Sequence, residues 1–255
     1  MTPLYVKTEV QLRAMEARPS TDHKTAKKHA LVRDGFKCLL SGKYDLDQTL
    51  KSSQLTAKAK TELSVVSATN CAHIFPVSLN PSKASLTDHS ANVWQVLKML
   101  GGLGTEFVDS LNGAGINQLG NILTLLVTLH EFFDRLMLWL EKVEGQENTY
   151  KTCYPQTGIL DLDYLPATVT FSTSTGFPLP RADLLAVHAA ACCVAHLSGA
   201  AEFLEMREDD DDDEVSSIML SLADFISKVN RHLRRAVDDR IVRMDDNQIE
   251  DFNLP

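Results

Sequence analysis

The strongest pattern of apolar and polar positions lies in residues 121–134 of the 255-residue chain. A polar Asn121 is followed by an apolar, partly β-branched run, which leads directly into the sequence Leu-His-Glu-Phe-Phe-Asp. Helical residues four positions apart share one face, so His130 and Asp134 are predicted to project together while the apolar residues around them pack against a core. Such a pair can hold a cation, or it can simply form an ion pair on an amphipathic helix.

Similar patterns predict the other elements of the chain. Residues 20–22 offer N-cap oxygens for a helix over residues 23–33, and an apolar run over residues 63–75 indicates a buried strand that Pro76 ends. Residues 43–60 are too sparse in apolar positions to assign. The remaining predictions are a strand at 4–6, a helix at 92–100, continuation of the 130–134 helix to about residue 141, strands at 149–154 and 168–172, and helices at 181–206 and 215–237.

This order of elements favours an α+β, predominantly helical fold that is organised in three parts. The parts are an N-terminal arm at residues 1–19, a mixed core at 20–177 with a long insertion at 77–120, and a helical C-terminal part at 178–255 with an acidic loop at 208–214.

The composition allows a large buried core, since 44% of the residues are hydrophobic. No apolar run reaches the roughly 18 residues that a membrane span requires. The N-terminus also lacks the apolar segment of a secretion signal. We therefore expect an intracellular protein with no membrane partner, and nothing in the sequence distinguishes nucleus from cytoplasm.

Five cysteines, at positions 38, 71, 153, 192 and 193, include no Cys-x-x-Cys pair. An odd number of scattered cysteines indicates reduced, mostly buried thiols rather than a disulfide framework. The helix that carries the last two also contains His188 and His196. No carboxylate four positions further on accompanies either histidine, so both are interpreted as packing residues.

The net charge of −9 argues against a nucleic-acid-binding protein, but the charges are unevenly distributed. Residues 1–60 contain twelve Lys and Arg against six Asp and Glu, whereas residues 205–214 contain eight carboxylates. We interpret the acidic run as a solvated loop. The basic end predicts a surface that meets phosphate groups, and its predicted helix supplies Lys24, Lys27, Lys28 and Arg33.

Three separated motifs occur in a fixed order. They are Ala-His-Ile-Phe-Pro with His73 in second place, then Asn121, and then His130 nine positions later together with Asp134. The lead-in Arg-Asp-Gly-Phe-Lys-Cys-x-x-Ser-Gly ends at Gly42. This ordered set resembles the HNH, or His-Me finger, endonuclease family over about residues 24–140. Its Ala-His-Ile and Leu-His-x-x-Phe-Asp elements are most similar to a branch that is abundant in fungal proteins.

The resemblance implies a ββα-metal core, in which two strands and a helix fold over one divalent cation. It also implies that His73 is the general base and that Asn121 hydrogen-bonds across the loop to hold His73 in place. His130 and Asp134 are then the metal ligands. Imidazole nitrogen and carboxylate oxygen are suitable donors for Mg²⁺, Mn²⁺ or Zn²⁺, and an unperturbed imidazole titrates close to neutral pH.

Two features depart from the family pattern. Ala72 stands where many relatives have an Asp or His that binds the metal, and alanine has no ligand atom. Many relatives also hold a structural zinc with two Cys-x-x-Cys pairs, whereas the corresponding positions here are Cys38/Ser41 and Leu126/Leu129. We therefore expect no structural zinc and expect the two leucines to pack in place of the missing ligands.

The leading hypothesis is a metal-dependent endonuclease that hydrolyses phosphodiester bonds in DNA with little sequence specificity. The alternative is a weak or inactive HNH scaffold that serves as a binding or regulatory module, motivated by Ala72, the net acidity and the insertion. A third hypothesis is a hydrolase that acts on another phosphoester. The apolar stripe at residues 218–233 is a candidate interface for a homodimer or another partner.

Overall fold

The structure is a computed structural model, which describes residues 9–18, 20–77, 105–155, 162 and 164–197. Several predictions lie outside these residues: the strand at 4–6, the helices at 92–100 and 215–237, the acidic loop at 208–214 and the apolar stripe at 218–233. None of the helices in the described ranges is long and apolar enough to cross a lipid bilayer.

The described chain begins with two helices, α1 (Glu9–Glu16) and α2 (His23–Arg33). α2 has its predicted bounds because the Asp22 carboxylate accepts a hydrogen bond from a backbone amide of the first turn. α1 lies within the segment that was expected to be an arm. Its Leu12 and Met15 pack against the core, and two apolar positions are too few to predict a helix.

Residues 43–60 contain two short helices that the sparse apolar pattern does not indicate. These helices and the parallel strands that flank them are β1 (Tyr44–Asp45), α3 (Leu46–Lys51), α4 (Ser53–Thr61) and β2 (Val66–Ser67). The side chains of Asp45 and Ser52 accept hydrogen bonds from first-turn amides of α3 and α4. N-capping therefore contributes what the apolar pattern alone does not provide.

Two strands and a helix form a ββα unit at the centre of the fold. These are β3 (Thr69–His73), β4 (Ile122–Leu126) and α6 (Val127–Asp134). The strands are antiparallel, with Thr69 opposite Leu126 and His73 opposite Ile122. Between them, α5 (Thr105–Ser110) and two turns of 3₁₀-helix, Gly113–Asn117 and Leu119–Asn121, lead the chain back into β4.

The prediction that α6 continues to about residue 141 is wrong, because the helix ends at Asp134. Leu136 adopts a left-handed conformation with φ of 59°. Its amide donates to the Phe133 carbonyl, and the Met137 amide donates to the Phe132 carbonyl at 2.8 Å. This pair of bonds is a Schellman motif. A glycine at this position would have predicted the end of the helix, whereas a leucine does not.

After this stop the chain forms an antiparallel three-stranded sheet of β5 (Trp139–Lys142), β6 (Thr149–Cys153) and β7 (Thr168–Thr170). The predicted strands at 149–154 and 168–172 are thus confirmed with slightly shorter bounds. Helix α7 (Ala182–Leu197) packs on β5 and corresponds to the described part of the helix predicted at 181–206.

Two histidines of α7 bind the C-terminal end of α6. The Nε2 atoms of His188 and His196 lie 3.1 and 2.9 Å from the carbonyl oxygens of Phe133 and Leu136. The His188 ring also stacks on Phe133, with centroids 3.7 Å apart. Burial lowers the pKa of His188 to about 4, so the ring is neutral near pH 7. The interpretation of both histidines as packing residues is confirmed.

One apolar cluster joins the ββα unit to the later elements, since it contains Leu123 of β4, Phe133 of α6, and Leu184 and Leu185 of α7. The described part of the C-terminal region therefore packs into the same core. All five cysteines are free and four are buried, as their scattered positions indicated. An α+β fold is confirmed in the described residues, whereas a predominance of helix over the whole chain stays a prediction.

Candidate active site

The ββα unit places His73 at the point where β3 ends. Its partner in the sheet is Ile122, which directly follows Asn121. The neighbouring Ala72 is completely buried and belongs to the apolar cluster, whereas His73 is half-buried. The alternation of the strand therefore turns Ala72 towards the core and leaves the imidazole at the surface of the unit.

Asn121 is fully buried and fixes the two residues that follow His73. Its Oδ1 accepts from the Phe75 amide at 2.8 Å, and its Nδ2 donates to the carbonyls of Phe75 and Ile116 at 3.0 and 2.9 Å. Its own carbonyl accepts from the Ile74 amide. Both polar atoms of the side chain thus form hydrogen bonds that hold the loop after β3. This loop in turn positions the end of the strand.

The His73 ring contacts an amide from the segment before β4. Its Nε2 lies 3.1 Å from Oδ1 of Asn117. Nδ2 of Asn117 donates to the carbonyl of Thr21, immediately before α2, at 3.3 Å. A side chain of the 77–120 insertion therefore connects the imidazole to the N-terminal end of α2. Sequence reasoning missed Asn117, because one more Asn in a turn-rich segment is an ordinary turn residue.

The ring of His23, the first residue of α2, stacks on the His73 ring with centroids 5.5 Å apart and an angle of 28° between the planes. Sequence reasoning also missed His23, since it precedes the matched motifs and has no spacing relation to them. The side chain is exposed. It thus adds a second imidazole to the solvent side of the site.

Burial lowers the pKa of His73 to about 4. The Asn117 hydrogen bond and the Asp134 carboxylate oppose this shift, whereas the charges of His23 and His130 add to it. Asn117 and His23 contact the ring directly, and α6, which carries His130 and Asp134, packs on β3. At this pKa the imidazole is neutral near pH 7 and free to accept a proton, but it is a weaker base than the unperturbed value of about 6.5 implies.

His130 and Asp134 project from one face of α6, as their spacing predicts. Nε2 of His130 lies 3.1 Å from Oδ2 of Asp134, and the two side chains are 23% and 30% exposed. The two side chains thus pair with each other, which was one interpretation of the pattern, and the pair is open to solvent.

The donor set of this pair is suitable for a divalent cation. Two ligands at right angles, each about 2.1 Å from one ion, lie about 3 Å apart, which is close to the observed separation. Within the described ranges, no cluster of three or more His, Cys, Asp or Glu side chains is arranged to hold a metal. The described residues would thus supply two ligands to a cation, and its other positions would be open to water and phosphate oxygens.

The assignment of Arg33 to a phosphate-binding surface is wrong. Its side chain has no exposed area and forms a forked ion pair with Asp34, at 2.6 and 2.9 Å. Its remaining N–H groups donate to the carbonyls of Leu119 and Ile122, on either side of Asn121, and of Pro178. Arg33 is therefore buried and connects α2 to the segment that leads into β4. The side of α2 that carries Arg33 packs against this segment and does not face solvent.

The three lysines of α2 remain candidates for phosphate contacts. Lys24 and Lys28 are exposed, and Lys27 is half-buried. Lys27 is one helical turn from His23, and α2 packs on β3, which ends at His73. The lysines therefore belong to the helix that borders the site.

The region that holds a structural zinc in many relatives is filled by apolar side chains. Gly42, with φ of +69°, closes a turn in which its amide donates to the Cys38 carbonyl at 3.0 Å. Cys38, Leu126 and Leu129 are buried in one apolar cluster. The predicted packing of both leucines is confirmed, and the expectation of no structural zinc stays a prediction.

Residues 38–141 match the model of a family described as HNH endonuclease. The match contains β3, Asn121, β4 and α6, which are the elements that carry the motifs. This part of the chain belongs to the HNH endonuclease family, as its motifs predicted. The particular branch stays a prediction. No curated protein and no solved structure gives a significant match to the chain.

Proposed function

We propose that the protein is a metal-dependent endonuclease that hydrolyses phosphodiester bonds in DNA. One observation carries the proposal: in an HNH domain, β3 ends at the His73 imidazole and packs on α6, which presents a solvent-accessible His/Asp pair. A base next to a candidate cation site is the arrangement that hydrolysis of a phosphodiester requires.

Each residue has a distinct role in this proposal. His73 takes a proton from the attacking water, and Asn121 holds the loop that positions His73. His130 and Asp134 would hold the cation, which would supply polarisation of the phosphoryl oxygen and offset charge on the leaving group. Asn121 is thus a positioning residue that touches neither substrate nor metal.

A plasmid-nicking assay tests the proposal. Supercoiled DNA is expected to convert to the relaxed form with Mg²⁺ or Mn²⁺ and to stay supercoiled with a chelator, because the cation would stabilise the charge that develops during hydrolysis. A protein that cleaves equally well in the chelator would refute the metal dependence. A protein that cleaves with neither ion nor Zn²⁺ would refute the proposal as a whole.

Cation binding is expected to depend on both residues of the α6 pair. In calorimetric titrations with Mn²⁺, Asp134→Asn and His130→Ala should each weaken binding by at least about tenfold, because each removes one of two protein ligands. Glu131→Gln is a matched control, since Glu131 is on the same helix and its side chain is 55% exposed. Equal affinity in all four proteins would show that the cation binds elsewhere.

DNA affinity is expected to depend on the α2 lysines. The double substitution Lys24→Gln/Lys28→Gln should lower the slope of log K against log salt by about 2, because each phosphate contact contributes about 0.9. Fluorescence anisotropy with labelled duplexes of two unrelated sequences measures the slope. Lys58→Gln/Lys60→Gln, which changes two exposed lysines of α4, should leave it unchanged. The reverse result would place DNA on α4.

The second candidate function is a binding or regulatory module on an inactive HNH scaffold. The buried Ala72 favours it, since this position supplies no ligand, and the described residues offer no third His, Cys, Asp or Glu for the cation. The calorimetric titrations separate the two functions. A protein that binds DNA but no divalent cation would be a binding module.

A further inference from the structure

Asn117 contacts the His73 ring through a hydrogen bond that the HNH motifs do not account for. It ends a 3₁₀ turn, four residues before Asn121. We infer that Asn117 is a positioning residue that fixes the tautomer of His73 and thereby selects Nδ1 as the atom that accepts the proton from water. The inference rests on the proposed function of His73 as general base.

The orientation of the Asn117 amide follows from its second contact. The Thr21 carbonyl can only accept a hydrogen bond, so the Asn117 atom 3.3 Å away from it must be the NH₂ group. Oδ1 consequently faces Nε2 of His73 at 3.1 Å. An amide oxygen can only accept, and therefore Nε2 carries the hydrogen.

A neutral imidazole has a hydrogen on only one of its nitrogens. With Nε2 protonated and bound to Asn117, the lone pair lies on Nδ1. Water then transfers one proton to Nδ1, its oxygen forms the new bond to phosphorus, and the bond to the leaving oxygen breaks. That oxygen takes a proton from solvent. The Nε2–H bond to Oδ1 persists and strengthens as the ring becomes positively charged.

Asn117 also fixes the direction of the ring, because its other end is attached to the backbone before α2. The same segment presents His23, which stacks on one face of the His73 ring. An in-plane hydrogen bond and a stacked neighbour together restrict both rotation and tilt of the imidazole. The base is therefore held by α2 and by the insertion, in addition to its own strand.

Nitrogen-15 NMR of the histidine rings tests the inference directly. In the wild-type protein at neutral pH, His73 should have a protonated Nε2 and an unprotonated Nδ1, with its signals assigned by their loss in His73→Gln. In Asn117→Ala, both tautomers should be populated, because the acceptor that selects one of them is gone. Asn117→Asp keeps an acceptor and should keep the tautomer.

The Asp variant should also raise the pKa of His73, since a carboxylate replaces the amide beside the ring. The groups that act on this titration, His23, His130 and Asp134, are unchanged in both variants. In cleavage assays, Asn117→Ala should lower kcat by roughly 10- to 100-fold with little change in KM. Asn117→Asp should restore part of kcat and shift the acidic limb of the pH profile upwards.

Asn112→Ala is the matched control, because Asn112 is exposed and makes no capping bond at the start of the same 3₁₀ turn. It should alter neither the NMR tautomer nor kcat. A wild-type ring protonated on Nδ1, or an unchanged tautomer in Asn117→Ala, would overturn the inference. The NMR result does not require cleavage, so an inactive wild-type protein would refute the proposed function separately.

Discussion

Replacement of His73 by alanine is expected to reduce plasmid nicking by at least about 100-fold, because general-base catalysis contributes about that much or more. The ring is half-buried, and within the described residues its hydrogen bond is to Asn117. Its loss should therefore change the unfolding temperature only slightly. Nicking rates and thermal unfolding, measured on the same preparation, separate a lost base from a damaged fold.

The pH dependence gives the same prediction a second readout. Because burial holds the pKa of His73 at about 4, the base stays unprotonated from pH 7 down to about 5. With the cation at a concentration that saturates the wild type at each pH, activity that depends on His73 should fall only as the pH approaches 4. Under these conditions, a profile that declines around pH 6.5 would indicate a solvent-like histidine as the base. Equal nicking by wild type and His73→Ala at every pH would remove His73 from the mechanism.

Arg33→Met is expected to destabilise the protein by about 3–5 kcal/mol, since removal of one partner leaves a buried carboxylate without its counter-charge. The Asp34 side chain has no exposed area, and the carbonyls of Leu119 and Ile122 would lose a donor. Urea unfolding measures the loss. The entry of β4 carries Asn121, so cleavage at temperatures near the unfolding transition should fall as well.

Lys28→Met is the control for this substitution, because Lys28 is exposed on the same helix. It should change stability by no more than about 0.5 kcal/mol. Its DNA affinity should fall slightly, whereas the DNA affinity of folded Arg33→Met should not. If Arg33→Met were as stable as the wild type and bound DNA poorly, the original assignment of Arg33 to a phosphate surface would be restored.

The error over Arg33 shows which features of the site were open to sequence reasoning. Helix α2 was placed correctly, because an N-cap and the Asp34–Gly35 stop are local signals. Which face of α2 is buried depends on residues that are distant in the sequence. The sequence of a basic helix does not indicate that one of its arginines donates hydrogen bonds to three backbone carbonyls. The number of basic residues therefore predicts that a basic surface exists, but it does not predict which Lys and Arg side chains lie on that surface.

The ββα unit was predictable for a different reason. Its motifs have fixed spacings, and the strand of the last one continues directly into the His/Asp helix. Asn117 and His23 were not predictable, because only the folded chain brings the insertion and α2 to the end of β3. The end of α6 at Leu136 was not predictable, because a left-handed backbone conformation is energetically unfavourable for leucine and is adopted only where the surrounding structure stabilises it.

The two α7 histidines have a consequence for how this domain can be moved or trimmed. The segment that matches the family, residues 38–141, ends before α7 and begins after α2. A fragment cut at those limits would lack the imidazoles that bind the end of α6, the guanidinium that fastens the entry of β4, and the Thr21 carbonyl that orients Asn117. Residues 38–141 alone are therefore expected to be less stable and less active than a fragment that also contains α2 and α7.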